Sequence, residues 1–162
     1  MKLLRADEKS LVFRLSRIEQ QLLLDLVRRF PMVPATHARL SRRDNIPNHQ
    51  ENQRLLEVSL AQHRHAARRQ VLAMLDTERR FRETETGLEL TLTPAEVEWL
   101  LQVLNDVRVG CWLALGEPDE SEEPEITDEN QPFALAMDGA GFFQMALLAA
   151  TNVGRHQRPG LG

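Results

Sequence analysis

Residues 11–27, LVFRLSRIEQQLLLDLV, and residues 88–104, LELTLTPAEVEWLLQVL, align without a gap at an offset of 77 positions. Leu11/Leu88, Leu15/Leu92, Glu19/Glu96, Leu23/Leu100 and Leu24/Leu101 are identical. Each phrase opens with apolar residues at alternate positions (Leu11, Phe13, Leu15; Leu88, Leu90, Leu92), the pattern of a strand with one buried face. A capping box follows, Ser16–Glu19 in one copy and Thr93–Glu96 in the other, in which the hydroxyl serves the N3 amide and the carboxylate reaches back. Pro94 fits the first helical position, where an amide hydrogen has no partner to lose. Apolar residues then recur at helical spacing: Leu22, Leu23, Leu26, and Val97, Leu100, Leu101, Leu104. The phrase therefore spells strand, cap, amphipathic helix.

The correspondence extends outward. Upstream, LLRADEKS faces RFRETETG at the same offset, so each unit opens with a β-hairpin, and Gly87 suits a turn position of positive φ. Downstream, each unit has a proline-bearing loop, then ENQ, then a second apolar helix, expected over about 50–77 and 133–150. The reading is a mainly α (α+β) fold: four principal helices, short β-hairpins forming a small antiparallel sheet, and an internal duplication of a hairpin–helix–loop–helix unit. The domain is taken as 1–154, with repeats 1–77 and 78–154 and a tail at 155–162.

At 162 residues, 42% hydrophobic and 27% charged, the chain has the makeup of one globular domain with a real core. A net charge of −4 argues against a dedicated nucleic-acid binder. The single cysteine, Cys111, excludes an internal disulfide and a cysteine-based zinc site, and its apolar neighbours point to a buried inert thiol. The N-terminus reads as no secretion signal, and no uninterrupted apolar run reaches membrane-spanning length, so a cytoplasmic location without membrane association is expected. Residues 117–129 hold eight carboxylates and two prolines and read as a mobile, solvated loop. The other long loop, 31–49, carries Arg39, Arg42 and Arg43 and could dock on acidic surface.

Candidate sites are few. The chain has no Gly-rich phosphate loop, no G-x-S-x-G elbow and no H-E-x-x-H, so no catalytic, cofactor or metal residue is assigned and an enzyme is not favoured. On the helix after residue 50, Leu56, Leu60, Ala67, Val71 and Met74 form one stripe that includes His63, a core or interface histidine. Arg64, His65, Arg68 and Arg69 form a basic edge, the one feature favouring nucleic acid. Within LNDVR, Asn105, Asp106 and Arg108 form a candidate polar site, with Asn105 and Arg108 sharing a face with Leu101 and Trp112. They read either as an internal hydrogen-bond and ion-pair knot or as an anion or carboxylate pocket. The last helix has only Asp138 and Gln144 as clearly polar side chains. It should therefore be central to the core, with excess apolar surface near Phe142 or Phe143 serving a homodimer or partner interface.

The stretch LTPAEVEWLLQVLNDVRVGCWLALG resembles the corresponding helix of a bacterial family, Domain of Unknown Function two thousand and seventeen. The opening LLRADEKSLVFRLSRIEQQLLLDLV is similar to that family's N-terminal end, whereas NHQENQRLLEVSL departs from its pattern. The resemblance carries no functional residue; family members that lie beside a protease substrate adaptor imply at most a regulatory or proteolysis-linked role. The expected function is a non-enzymatic interaction or regulatory protein with a protein partner or a second copy. A nucleic-acid-binding regulator, and a small-molecule-binding protein or enzyme with a pocket near Arg108, are the alternatives.

Overall fold

The chain is described by a computed structural model that covers residues 1–34, 49–75, 80–119, 121 and 125–156. Arg39, Arg42 and Arg43 lie outside these residues, as does part of the acidic segment. The elements run β1 (Lys2–Ala6), β2 (Leu11–Leu15), α1 (Arg17–Arg29), α2 (His49–Leu75), β3 (Phe81–Thr84), β4 (Gly87–Leu92), α3 (Pro94–Ala114) and α4 (Gln131–His156). The fold is thus α+β, four helices and one four-stranded antiparallel sheet ordered β1-β2-β4-β3.

The two strands read from the repeated phrase are partners at the centre of the sheet. β2 pairs β4 with Leu11 opposite Leu92, Phe13 opposite Leu90 and Leu15 opposite Leu88. Exchanging each residue for its counterpart 77 positions away maps this ladder onto itself about Phe13 and Leu90. The hairpins agree too: Arg5 faces Val12 as Arg82 faces Glu89, and Ala6 faces Leu11 as Glu83 faces Leu88. A bulge between Leu3 and Arg5 ends the agreement toward the N-terminus. Gly87 closes the second hairpin at φ +133°, and a Cβ there would meet the Leu15 carbonyl oxygen at 2.8 Å.

Both capping boxes are present. Glu19 N–H donates to Ser16 Oγ at 3.1 Å and Ser16 N–H donates to Glu19 at 2.7 Å; Thr93 and Glu96 repeat this at 3.3 and 2.8 Å. The phase of the helix that follows is also shared. Leu23, Leu26 and Val27 are buried in α1, and their counterparts Leu100, Val103 and Leu104 are buried in α3.

The inner face of the sheet (Leu11, Phe13, Leu15, Leu90, Leu92) joins α1, α3 and α4 in one core. α3 contributes Val97, Leu100, Leu104, Val107 and Cys111, and α4 contributes Ala136, Ala140, Phe143, Leu147 and Ala150. Both seams step by three and four residues, and the α3–α4 contact is the most extensive between helices. Each fully buried large side chain stabilises by about 1.5–3 kcal/mol. α4 is central to the core as its composition predicts. Among the described helices it is the one long and apolar enough, over Gln131–Val153, to span a membrane by length and composition. α2 differs: only its last turns, at Val71, Met74 and Leu75, are buried.

The described part of the acidic segment is exposed, and hydrogen bonds pin both its ends. Trp112 Nε1 donates to the Pro118 carbonyl at 3.1 Å, and Thr127 N–H donates to Asn130 Oδ1 at 2.7 Å just ahead of α4.

Candidate functional site

The polar residues of LNDVR do not act together. Asn105 and Arg108 are exposed, not buried, because the buried seam of α3 passes through Leu104, Val107 and Cys111 beside them. Arg108 donates to Gln144 Oε1 of α4 at 3.3 Å and forms no ion pair with a described residue, so the buried knot is absent. Asp106 points the other way. Its Oδ1 accepts from the amides of Met32 at 2.6 Å and Val33 at 3.3 Å, in the turn that leaves α1. A carboxylate there satisfies two backbone donors that no helix or strand serves. Gly110, one turn along α3, lets the same turn approach: a Cβ on it would overlap Met32 Cβ and lie 3.0 Å from the Met32 carbonyl carbon. A glycine inside a helix was the available sequence signal that this flank of α3 receives backbone.

The basic edge divides as well. Arg64 turns inward and donates to the Val33 carbonyl, so it holds the same turn as Asp106. His65 and Arg69 stay exposed and Arg68 is half-buried, which leaves three groups at the edge. His63, expected in the core or at an interface, is exposed and lies at the edge of the groove between α2 and α3, not in the core. The denser basic surface is one the sequence reading passed over, the outer face of the sheet. Lys2, Arg5, Arg14 and Arg82 stand there around Glu89, and Arg14 Nε is buried without a partner among the described residues. Strand alternation was the signal, because every second residue of the hairpins points away from the core.

Two apolar surfaces remain. On α4, Leu135, Phe142, Met145 and Leu148 are 46–75% exposed and form an outer stripe with one carboxylate, Asp138. Phe143 is fully buried and belongs to the core, so Phe142 alone of that pair is open to a partner. The second surface is a groove of about 330 Å³ between α2 and α3. Its floor is Phe30, Val71 and Val103, its walls are Trp99 and Ala67, and His63, Gln70 and Gln102 stand at its rim.

The groove has a counterpart in the other half of the molecule. Leu22 and Leu26 of α1 correspond to Trp99 and Val103 of α3 at the offset of 77. They pack against Gly139 of α4, whose Cβ would lie 3.5 Å from each. The inward residues of α4 (Ala136, Ala140, Phe143, Leu147, Ala150) correspond to those of α2 (Leu60, Arg64, Ala67, Val71, Met74) at an offset of 76. At 76, Gly139 answers to His63, Ala140 to Arg64 and Phe143 to Ala67. Where α4 presents a glycine, an alanine and a large ring to its neighbour, α2 presents two bulky polar side chains and a methyl group.

Among the described residues three carboxylates are shifted: Asp7, held below its ordinary range by the Lys9 and Ser10 amides in the first hairpin turn, and the two of the capping boxes. Burial works to raise Glu96, but the hydrogen bonds of the Arg80 guanidinium and of the Thr93 amide outweigh it and hold the carboxyl below its ordinary range. Burial likewise works to raise Glu19, but the hydrogen bonds of the Met1 amino group and the Ser16 amide outweigh it and hold the carboxyl below its ordinary range. Burial pushes the Cys111 thiol up, as expected of an inert core cysteine. Among the described residues no group of three or more His, Cys, Asp or Glu side chains could hold a metal ion.

No curated protein and no solved structure matches the chain. A family model does, over residues 39–151. That span takes in α2, including the stretch expected to depart from the family pattern, and it leaves out β1, β2 and α1, where a resemblance was expected. It contains the whole α2–α3 groove except Phe30, together with the outer stripe of α4. With well over half its length matched, the chain belongs to the family described as Domain of unknown function (DUF2017).

Proposed function

We propose that this is a non-enzymatic cytoplasmic interaction protein whose docking surface is the outer stripe of α4. One observation carries the reading. Leu135 is 62% exposed, Met145 75% and Leu148 52%, on a helix whose opposite side is core. Large apolar side chains contiguous on one face mark a surface that another chain covers. A second copy is the partner that the stripe itself suits. In an antiparallel pairing centred on Met145, Phe142 meets Leu148, Gly141 meets Ala149 and Asp138 meets Asn152 of the partner, so no charge faces a like charge. Sedimentation equilibrium tests it: the protein should dimerise, and Met145→Glu should give monomers that unfold as cooperatively as wild type. A wild-type chain that stays monomeric at its solubility limit removes the second copy as partner.

The outer face of the sheet favours a second reading, a nucleic-acid-binding regulator, through Lys2, Arg5, Arg14 and Arg82 and not through the α2 edge. Its test is fluorescence anisotropy with single- and double-stranded oligonucleotides. Binding that falls steeply with salt and is lost in Arg5→Ala/Arg82→Ala supports it.

A further inference from the structure

We infer that the outer face of the sheet seats the two phosphate backbones of double-stranded nucleic acid on either side of one groove and reads no base; this rests on the second reading above and narrows it to one substrate. The first ground is where the cations stand. Lys2 is opposite Arg14, Arg14 opposite Glu89 and Glu89 opposite Arg82, so one row crosses all four strands. In the next row Arg5 is opposite Val12 and Val12 opposite Thr91. The helices of the core pack on the other face, and Lys2, Arg5, Thr91 and Arg82 are exposed. Cations thus hold both flanks, Lys2, Arg5 and Arg14 on one and Arg82 on the other. Between the flanks, Val12 and Thr91 line a shallow hollow of about 500 Å³. From β1 to β3 the row spans three inter-strand spacings, about 14 Å, comparable with the width of a major groove, roughly 12 Å.

The second ground is the carboxylate in the row. Glu89 bonds Arg82, and its side chain is 20% exposed against 74% for the arginine, so the guanidinium fronts solvent. Its place between the flanks still disfavours one phosphate track through the middle of the face and leaves a track to each flank. Arg5 meets Asp7 only in an exposed contact of 3.7 Å, too weak to keep it from a phosphate. The third ground is what the face lacks. Alternation turns Phe13 and Phe81 inward, opposite Leu90, so no aromatic ring stands on the outer face of the described strands. Sheets that hold single strands do so by stacking bases on such rings. Guanidinium, ammonium and hydroxyl groups meet phosphate oxygens instead.

The test is fluorescence anisotropy of the full chain with labelled DNA: two duplexes of unrelated sequence, and one of their strands alone. The duplexes should bind alike and the single strand roughly tenfold or more weaker, with log affinity for the duplex falling against log salt at a slope of roughly −3 to −4. Lys2→Ala/Arg82→Ala takes one exposed cation from each flank; it should lower that slope by about two and still unfold as cooperatively as wild type. Arg68→Ala/Arg69→Ala on α2 should change nothing. Preference for the single strand, discrimination between the duplexes, or binding lost in the α2 variant and kept in the sheet variant overturns the inference and leaves a nucleic-acid binder of another kind. Absence of salt-sensitive binding to any oligonucleotide removes the second reading with it. Polyglutamate that displaces the duplex at equal charge overturns the inference in favour of an acidic protein partner.

Discussion

α1 and α3 carry out the same instruction, whereas α2 and α4 do not. Leu22 is 37% exposed and its counterpart Trp99 is 38% exposed; Leu23, Leu26 and Val27 are buried, and so are Leu100, Val103 and Leu104. The second helix of each half follows a common seam, yet one is set into the core and the other lies against it mainly by its last turns. Local chemistry (alternation, cap, helical period) therefore reproduces a hairpin and its first helix. Aligned at an offset of 76, the seams of the second helices differ in side-chain volume at three positions: Gly139, Ala140 and Phe143 in α4 against His63, Arg64 and Ala67 in α2.

The largest expected effects fall on α4, at the positions where these pairs differ. Gly139→His would force an imidazole between Leu22 and Leu26, whose methyl carbons already lie at ordinary contact from a Cβ. Overpacking of this kind costs about 3 kcal/mol. His63→Gly, the reciprocal change on exposed α2, should cost only the intrinsic helix penalty of glycine, about 1 kcal/mol. Phe143→Ala should lose about 3–5 kcal/mol, since it empties a fully buried position. Urea denaturation of the three variants is the measurement, and equal losses for Gly139→His and His63→Gly would break the distinction between the helices.

The turn after α1 gives the next tier. Asp106→Ala strands the Met32 and Val33 amides and should cost about 1.5–3 kcal/mol, as loss of a charged acceptor does. Arg108→Met removes one bond of 3.3 Å from an exposed side chain and should stay within about 0.5 kcal/mol. Thermal denaturation of both separates them; a severe loss for Arg108→Met would mean that its partner is a buried charge after all.

These two residues show where sequence reasoning stops. The strands, both capping boxes, the order of the elements and the apolar seam of α4 follow from short-range patterns, because period, cap and turn chemistry act over a few residues. The LNDVR segment defeated the same approach. In WLLQVLNDVRVGCWLAL apolar residues occur on nearly every flank, so the period does not reveal the buried one, and Asn105 and Arg108 read as interior. The direction of Asp106 depends on a turn 74 positions away, and that of Arg64 on a carbonyl 31 positions away. Long-range partners of this kind leave no periodic mark. The groove is further removed still, since its lining comes together from the end of α1, from α2 and from α3.

The capping boxes should behave alike. Ser16→Ala and Thr93→Ala each leave an N3 amide without its acceptor, and each should cost about 1 kcal/mol. The equality is the informative part, since it is the clearest local property the halves share. A loss at Thr93 with none at Ser16, measured by equilibrium denaturation, would show that the first cap holds no helix under tension.

The smallest effect is acidic. Glu19 and Glu96 both titrate below their ordinary value of 4.5, so the folded state binds these protons less readily than the unfolded chain. By linkage, each contributes stability that is fully present above pH 4.5 and is lost as pH falls from there through the depressed folded value. The carboxylates are held by different cations: Arg80 from the start of the second hairpin grips Glu96 with both guanidinium nitrogens, while Glu19 meets the Met1 amino group. Glu96→Gln should therefore flatten the acid limb of the stability profile, and Arg80→Met should flatten it nearly as much while leaving the Glu19 contribution in place. The measurement is urea midpoint against pH from neutrality to pH 3 for wild type and both variants. If the two variants follow the wild-type limb, the second capping box is a neutral hydrogen-bond pair, and the halves differ in charge as well as in packing.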